Sequence, residues 1–450
     1  MSIILTSFFR PLLRCLLVLA VSTVPLTAQA ALFTQPAPTG LSQTTEDMPA
    51  SFSAILRWDK NFEAVAYELE IFQQYPADCD ENAIDNRAAF RTPYIFMNAF
   101  NPPHTTIAAL RTENGPLWWR VRALDYNRLP ISPFSDPVPL YTSPDVPIIN
   151  APPVHLASYN DGPGTTLLYP VYNWVRLNDA SSYEVQLFNT DPDRIPAAQP
   201  IAILPSEVSE IYDTAPRYGS TPFYWRVRAL DAQGNPLDGW SETSSFRNSP
   251  DDNWEVAVFG DSIAHGGGHI SYSPADFEYS WLAHLAFSAI NLSQSGNLTE
   301  DMLARFESDV LPFHPHYLII MGGSNDLRDI YTVEDVIANM EGIKEKCRQY
   351  GIKPIFLTLP PINPANIQRA FAEETEPDWR EKFAAFNEYL RQQPHIDTAR
   401  ALEAYSTEDG LLPEWLALDG LHEDVMGKEL MAARINADWA EACAAADAWQ

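Results

Sequence analysis

The stretch Glu-Val-Ala-Val-Phe-Gly-Asp-Ser at residues 255–262 decides the fold of the C-terminal half. It is typical of a short apolar strand that ends on a glycine and is followed by a serine. Two more apolar runs, at 317–322 and 354–359, are typical of buried strands. Helical spacing lies between and after them, at 280–289, 332–350, 378–392 and 424–446. Strands that alternate with helices predict an α/β/α domain with a parallel sheet.

Polar residues and glycines follow these predicted strands in four places. In parallel sheets, such positions meet at the carboxyl edge, where chemistry is usually found. The four places are Gly260-Asp261-Ser262, the run 291–296 that ends on Gly296, Gly323-Ser324-Asn325-Asp326, and Asp419-Gly420-Leu421-His422. Each is weak evidence alone, but their order and their positions in loops together predict one active site.

The residue types in these four places suit ester hydrolysis. A serine becomes a nucleophile when a base takes its proton, and His422 is the right kind of base for Ser262. Asp419, three residues earlier, is placed to orient the imidazole and to offset its charge. The oxyanion that forms needs rigid donors, which we expect to be the amides of Ser262 and Gly296 and the side chain of Asn325.

With these motifs, the last 200 or so residues resemble the SGNH (GDSL-type) hydrolases. The resemblance maps the nucleophile to Ser262, the oxyanion hole to Ser262, Gly296 and Asn325, and the remaining catalytic pair to Asp419 and His422. It implies a flavodoxin-like fold, esterase or lipase activity, and no metal or organic cofactor. Many exported members remove acetyl groups from carbohydrates. The sequence Ile263-Ala264-His265 departs from the usual leucine and threonine after the serine, which affects the expected shape of the acyl pocket.

The segment before residue 250 contains a repeat. Trp58 and Tyr67 recur as Trp174 and Tyr183, and the sequence Trp-Arg-Val-Arg-Ala-Leu-Asp occurs at 119–125 and again at 225–231. The first copy is longer, and we place its extra residues around 79–91. Alternation of apolar residues between turns predicts short strands. Both copies resemble fibronectin type III β-sandwiches, which would serve either as spacers or as contacts to glycan or cell wall.

The N-terminus has the features of an export signal. Arg10 and Arg14 come before the apolar run 15–21, and Ala28-Gln29-Ala30 is a typical cleavage site. The alternative is a single membrane anchor, for which the run is short. We therefore predict a signal peptide at 1–30, two fibronectin type III-like sandwiches at 31–145 and 146–250, and the hydrolase at 251–450. The protein would be periplasmic, bound to the cell surface or secreted.

Cysteine and histidine residues offer further candidate sites. Cys347 and Cys443 either pair or remain buried thiols. The sequence His265-Gly-Gly-Gly268 is similar to the oxyanion motif of some α/β-hydrolase lipases, but the elbow motif Gly-x-Ser-x-Gly that must accompany it is absent. His265 and His269 are poor metal ligands because glycines separate them. No metal site or cofactor is predicted.

The sequence thus predicts an exported serine esterase for small acyl esters, with O-acetyl groups on polysaccharide or cell-wall glycan as the leading substrate. One alternative is a lipase, lysophospholipase or thioesterase for longer acyl chains. An alternative of another class is a surface protein that binds glycan or protein and does not need its hydrolase domain. The formal charge of −30 argues against nucleic acid or an anionic membrane as the main partner, and no transmembrane span is expected.

Overall fold

The computed structural model describes residues 33–449 except 62, 112–114, 126, 148–166, 238, 268–272 and 278–279. The predicted signal peptide at 1–30 therefore lies outside the described residues. Within the described part, no helix has both the length and the apolar character needed to cross a membrane.

The first β region contains two antiparallel sheets. The larger sheet has the strand order β3-β2-β5-β6, and the smaller one pairs β1 with β4. Trp58, Tyr67 and Trp119 lie in its buried core. The elements are β1 (Leu56–Arg57), β2 (Ala66–Phe72), β3 (Phe90–Ile95), β4 (Ala99–Phe100), α1 (His104–Leu110), β5 (Leu117–Leu124) and β6 (Val138–Leu140).

The second β region repeats this arrangement, with a sheet of order β12-β11-β8-β9 and a pair of β10 and β7. The ring centroids of Trp58 and Tyr67 lie 5.1 Å apart, and those of Trp174 and Tyr183 are also 5.1 Å apart. The two copies therefore share local packing as well as sequence. The strands are β7 (Val171–Asn173), β8 (Ser182–Phe188), β9 (Ala202–Ser206), β10 (Glu210–Tyr212), β11 (Phe223–Leu230) and β12 (Ser244–Phe246).

The extra residues of the first copy are only partly where we expected them, because only some of them lie around 79–91. Others form helix α1 between β4 and β5, where the second copy has a shorter connection. The loop around 79–91 has its own partners, because the Arg120 side chain donates to the carbonyls of Asp80 and Ala83, both at 2.9 Å. The Arg120 guanidinium also forms an ion pair with the Glu70 carboxylate at 2.8 Å. Together these contacts satisfy the charged side chain, which is fully buried.

The C-terminal region is built on a parallel five-stranded sheet, as the sequence predicts. Its order is β14-β13-β15-β16-β17. Strands and helices alternate along the chain around one large hydrophobic core. The elements are β13 (Val256–Gly260), α2 (Ser262–His265), β14 (Ile290–Asn291), α3 (Thr299–Asp309), β15 (Tyr317–Met321), α4 (Ser324–Leu327), α5 (Val333–Tyr350), β16 (Lys353–Leu357), α6 (Pro364–Phe371), α7 (Trp379–Leu390), β17 (His395–Ile396), α8 (Thr398–Glu403) and α9 (Val425–Ala448).

The helix boundaries show where local signals hold. Helix α5 begins after Thr332, whose hydroxyl accepts from the Asp335 amide, and ends before Gly351.

The predicted helix at 280–289 is wrong, because only a single 3₁₀ turn forms there, at Trp281–His284. The Trp281 ring nitrogen donates to the Ile263 carbonyl, and the Ala286 amide donates to the Asn436 side chain. The Asn436 side chain also donates to the His284 carbonyl, so it replaces helical partners of this segment, while the Trp281 contact fixes only the ring.

The segment just before β7, at the start of the second β region, is itself part of the C-terminal core. The Leu168 amide donates to the carbonyl of Asn291 on β14 at 2.9 Å, and Leu167 forms a parallel bridge to the same residue. Leu168 and Tyr169 are buried within the C-terminal hydrophobic core. The segment 167–169 therefore extends the edge of the parallel sheet.

The cysteines of the described residues are all unpaired thiols. Cys347 is buried on α5, and Cys443 is partly buried on α9. Of the two alternatives left open by the sequence, the structure thus has thiols at these positions.

Candidate active site

Ser262 lies at the carboxyl end of β13, between β14 and β15 in the sheet, and at the first position of α2. Asp261 caps this short helix, since its Oδ1 accepts from the Ile263 amide at 3.0 Å. Gly260 is needed just before it, because a Cβ there would lie 2.1 Å from the Met321 carbonyl oxygen. Close packing of two strands thus fixes the point at which the serine emerges.

His422 lies next to Ser262 although it is 160 residues away in the chain, and Asp419 lies next to His422. The His422 Nε2 atom is 2.8 Å from the Ser262 Oγ, and its Nδ1 is 2.9 Å from the Asp419 Oδ2. The other Asp419 oxygen accepts from the amides of Leu421 and His422, both at 2.8 Å. The carboxylate accepts a hydrogen bond from the Nδ1–H group of His422. The unprotonated Nε2 is therefore free to take the proton of the serine hydroxyl.

The charges of this pair stabilise each other. Burial lowers the pKa of His422, but the charge and hydrogen bond of Asp419 outweigh it, so the pKa lies above its ordinary value. Burial raises the pKa of Asp419, and the contact with His422 again outweighs it, so that pKa is lowered. The site therefore favours an imidazolium beside a carboxylate, which is the state formed when the histidine takes a proton.

Three hydrogen-bond donors share a cavity with Ser262 and His422. The cavity has a volume of about 250 Å³ and is also lined by Gly296 and Asn325. Among the described residues, the amides of Ser262 and Gly296 have no acceptor. The Asn325 amide group donates one N–H to the Asn297 carbonyl at 3.0 Å, which orients it and leaves its second N–H available. The arrangement can stabilise an oxyanion formed next to the serine.

His265 is held on both sides. Its Nδ1 lies 2.8 Å from the Ser295 hydroxyl, and its Nε2 lies 2.8 Å from the Tyr169 carbonyl oxygen. Burial lowers its pKa to about 4, so the ring is neutral. Because a carbonyl can only accept, Nε2 carries the proton and Nδ1 accepts from Ser295. Both nitrogens are thus occupied, while His269 lies outside the described residues.

No group of histidine, cysteine, aspartate or glutamate side chains within the described ranges is arranged to hold a metal ion.

Sequence reasoning missed Tyr212 and Arg305, whereas Arg328 follows closely on the predicted oxyanion asparagine. Arg328 lines it and forms an ion pair with Glu373 at 2.7 Å. Tyr212, on β10 of the second β region, also lines it. Below the site, the guanidinium of Arg305 donates to the carbonyls of Gly260 and Leu292. The spacing of Arg305 and Asp309 on α3 was a usable signal for an ion pair, whereas nothing in the sequence places Tyr212 near Ser262.

One known protein family matches the part of the chain that contains this site. The profile of the GDSL-like Lipase/Acylhydrolase family matches residues 258–430. The chain is 32% identical over 124 residues to the uncharacterized lipoprotein YqeF of Bacillus subtilis (strain 168), which covers 25% of this chain and 51% of that protein. The chain thus spans about half the length of this curated relative.

Solved structures of the same kind are also similar to this chain. One is a lipase/acylhydrolase from Enterococcus faecalis, at 25% identity and a TM-score of 0.33, covering 41% of this chain and 94% of that chain. Another is a catalytic mutant of an acetylxylan esterase from Geobacillus stearothermophilus, at 20% identity and a TM-score of 0.32, covering 40% and 91%.

Proposed function

We propose that the C-terminal region, whose residues 258–430 form a GDSL-like lipase/acylhydrolase domain, is a serine esterase that releases small acyl groups. The observation that carries the proposal is the continuous contact from Ser262 Oγ to His422 Nε2 at 2.8 Å and from His422 Nδ1 to Asp419 at 2.9 Å. Such a chain of hydrogen bonds converts a weak hydroxyl nucleophile into a reactive one.

The proposed reaction has two halves. Ser262 attacks the ester carbonyl while His422 takes its proton, and the amides of Ser262 and Gly296 with the Asn325 side chain hold the oxyanion. The intermediate collapses when His422 gives the proton to the leaving alcohol. Water, activated by the same histidine, then attacks the acyl-serine and releases the acid. Asp419 holds the imidazole in the required tautomer throughout.

The substrate we favour is an O-acetyl ester on a polysaccharide or cell-wall glycan. The small cavity of about 250 Å³ supports a short acyl group. No step of the proposed reaction needs a metal or an organic cofactor, since the residues supply nucleophile, base and oxyanion donors. Glycan contact through the β regions, which we take to be fibronectin type III-like sandwiches at 31–145 and 146–250, belongs to the same proposal.

Export through a signal peptide at 1–30, to the periplasm, the surface or the medium, completes the proposal. The basic and then apolar character of that segment supports it. The name lipoprotein carried by the relative in Bacillus subtilis points the same way.

The test is a series of p-nitrophenyl esters from acetyl to dodecanoyl, assayed with the wild-type protein and three variants. We expect Ser262→Ala to lose roughly 10⁶-fold in kcat. Asn325→Ala should lose on the order of 10²- to 10³-fold. Ser245→Ala, which removes an exposed hydroxyl on β12, is the matched control and should match the wild type.

The results separate the candidate functions. Serine-dependent activity that falls steeply beyond butyryl supports a deacetylase. A maximum at octanoyl or longer indicates lipid or thioester substrates. An absence of serine-dependent turnover on every ester contradicts the proposal and favours a binding protein.

A further inference from the structure

Tyr212 brings a side chain of the second β region into the candidate active site. It is the last residue of β10, and it lines the same cavity as Ser262 and His422. Its ring centroid is 6.1 Å from that of His265, and 42% of its surface is exposed. The family match begins at residue 258, so this wall of the cavity comes from outside the hydrolase domain.

A short path of contacts fixes Tyr212 relative to the serine. His265 lies on the same helix as Ser262, and its Nε2 donates to the carbonyl of Tyr169 at 2.8 Å. The Tyr169 hydroxyl donates to the buried Asp309 carboxylate at 2.7 Å. Strand β7 starts two residues after Tyr169, and its first residue, Val171, is the direct register partner of Tyr212. The backbone that carries the Tyr212 ring is therefore anchored to the core of the parallel sheet.

The position of Tyr212 in the cavity indicates which part of an ester it meets. His422 must reach the leaving oxygen, so the alcohol lies on the His422 side, where the Phe371 ring packs 5.9 Å from the imidazole. The Tyr212 ring instead packs against His265, and its hydroxyl lies near Gly267, so it meets the cavity at the end of α2. The acyl group, which points away from the leaving oxygen, is then directed towards the Tyr212 side.

We propose that the ring of Tyr212 closes the acyl end of the cavity and limits the length of the acyl group. The proposal rests on the esterase function proposed above. It makes the second β region part of the substrate site, whatever else that region binds. The Tyr212 hydroxyl lies beside Gly267, where an added Cβ would make an ordinary contact of 3.7 Å with it.

The test compares kcat/KM on p-nitrophenyl acetate and hexanoate for the full chain. Removing the ring should open space for additional methylenes, each of which is worth about tenfold or more in an apolar pocket. We therefore expect Tyr212→Ala to raise the hexanoate-to-acetate ratio at least about tenfold. Tyr212→Phe keeps the ring and should retain the wild-type ratio, which a hydroxyl-dependent role would not predict. Tyr212→Leu, intermediate in size, should give an intermediate ratio.

Ile203→Ala is the matched control, because Ile203 is an exposed side chain of the same β region and does not line the cavity. Melting temperatures of all variants exclude unfolding as the cause of a changed ratio. An unchanged ratio in Tyr212→Ala and Tyr212→Leu, with an active wild type, overturns this inference alone. Failure of the wild type to hydrolyse any ester overturns the esterase function and this inference together.

Discussion

The guanidinium of Arg305 connects the segments that carry the candidate site, and its removal is the sharpest structural test. It lies on α3, with 9% of its side chain exposed, and pairs with Asp309 at 3.0 Å. It donates to the carbonyls of Gly260, at 3.0 Å, and Leu292, at 2.6 Å, and to the Asn297 side chain at 2.5 Å. Gly260 directly precedes the Asp-Ser pair, and the Asn297 carbonyl orients Asn325.

The expected effect of Arg305→Met follows from these contacts. The methionine keeps an aliphatic stem but loses the guanidinium, whose carbon lies 4.2 Å from the centre of the Phe259 ring. It also leaves the Asp309 carboxylate buried without its cation. Removal of one partner of a buried ion pair lowers the free energy of unfolding by about 3–5 kcal/mol. The Tyr169 and Ser308 hydroxyls still donate to Asp309, which places the value at the lower end.

The assay is urea unfolding followed by far-UV circular dichroism, which reports mainly the helices of the C-terminal region. Arg305→Met with Asp309→Asn removes the stranded charge and should recover about 1–3 kcal/mol. Arg348→Met is the matched control, since Arg348 lies on α5 and pairs with an exposed glutamate, so its unfolding midpoint should not move. A free energy of unfolding for Arg305→Met within 1 kcal/mol of the wild type would refute the reasoning.

Two further predictions concern the loop that carries His422. Gly420→Ala should lower both stability and activity, because Gly420 has a φ of +81° and a Cβ there would lie 2.4 Å from the Asn363 carbonyl oxygen. Gly234→Ala is the control for backbone strain, because Gly234 has a similar φ of +80° but open space around it. Equal melting temperatures for the two variants would contradict the predicted clash at Gly420. Asp419→Asn removes the charge that raises the pKa of His422, so the rise of kcat/KM with pH should shift to lower pH, with a loss on the order of 10⁴-fold. A pH–rate profile that keeps its midpoint would exclude His422 as the base.

Much of the C-terminal fold is encoded locally. The apolar runs before Ser262 and at 317–322 and 354–359 predict β13, β15 and β16 because only buried strands need such continuous hydrophobicity. Thr332 and Gly351 predict the ends of α5 because they satisfy the terminal backbone groups. The order of the four motifs also selects residues that the structure brings into one cavity.

The remainder depends on contacts between distant segments, which spacing does not reveal. Apolar spacing at 280–289 predicts a helix, but the Asn436 side chain takes the backbone hydrogen bonds of Ala286 and His284 in that segment. Tyr212 belongs to a strand of three residues, and the sequence of that strand predicts only its pairing within its own sheet. Its place in the cavity follows from the attachment of the segment 167–169 to β14, for which no local signal exists.

That attachment has a consequence for self-association. Strand β14 is the outermost strand of the parallel sheet, and the Leu168 amide pairs with its Asn291 carbonyl. Without the segment 167–169, the sheet would present an open edge beside the hydrophobic gap left by Leu168 and Tyr169. Open edges recruit strands of other molecules and promote aggregation. The N-terminal half therefore protects the hydrolase from intermolecular strand pairing, and a catalytic fragment cut at residue 250 would lose that protection.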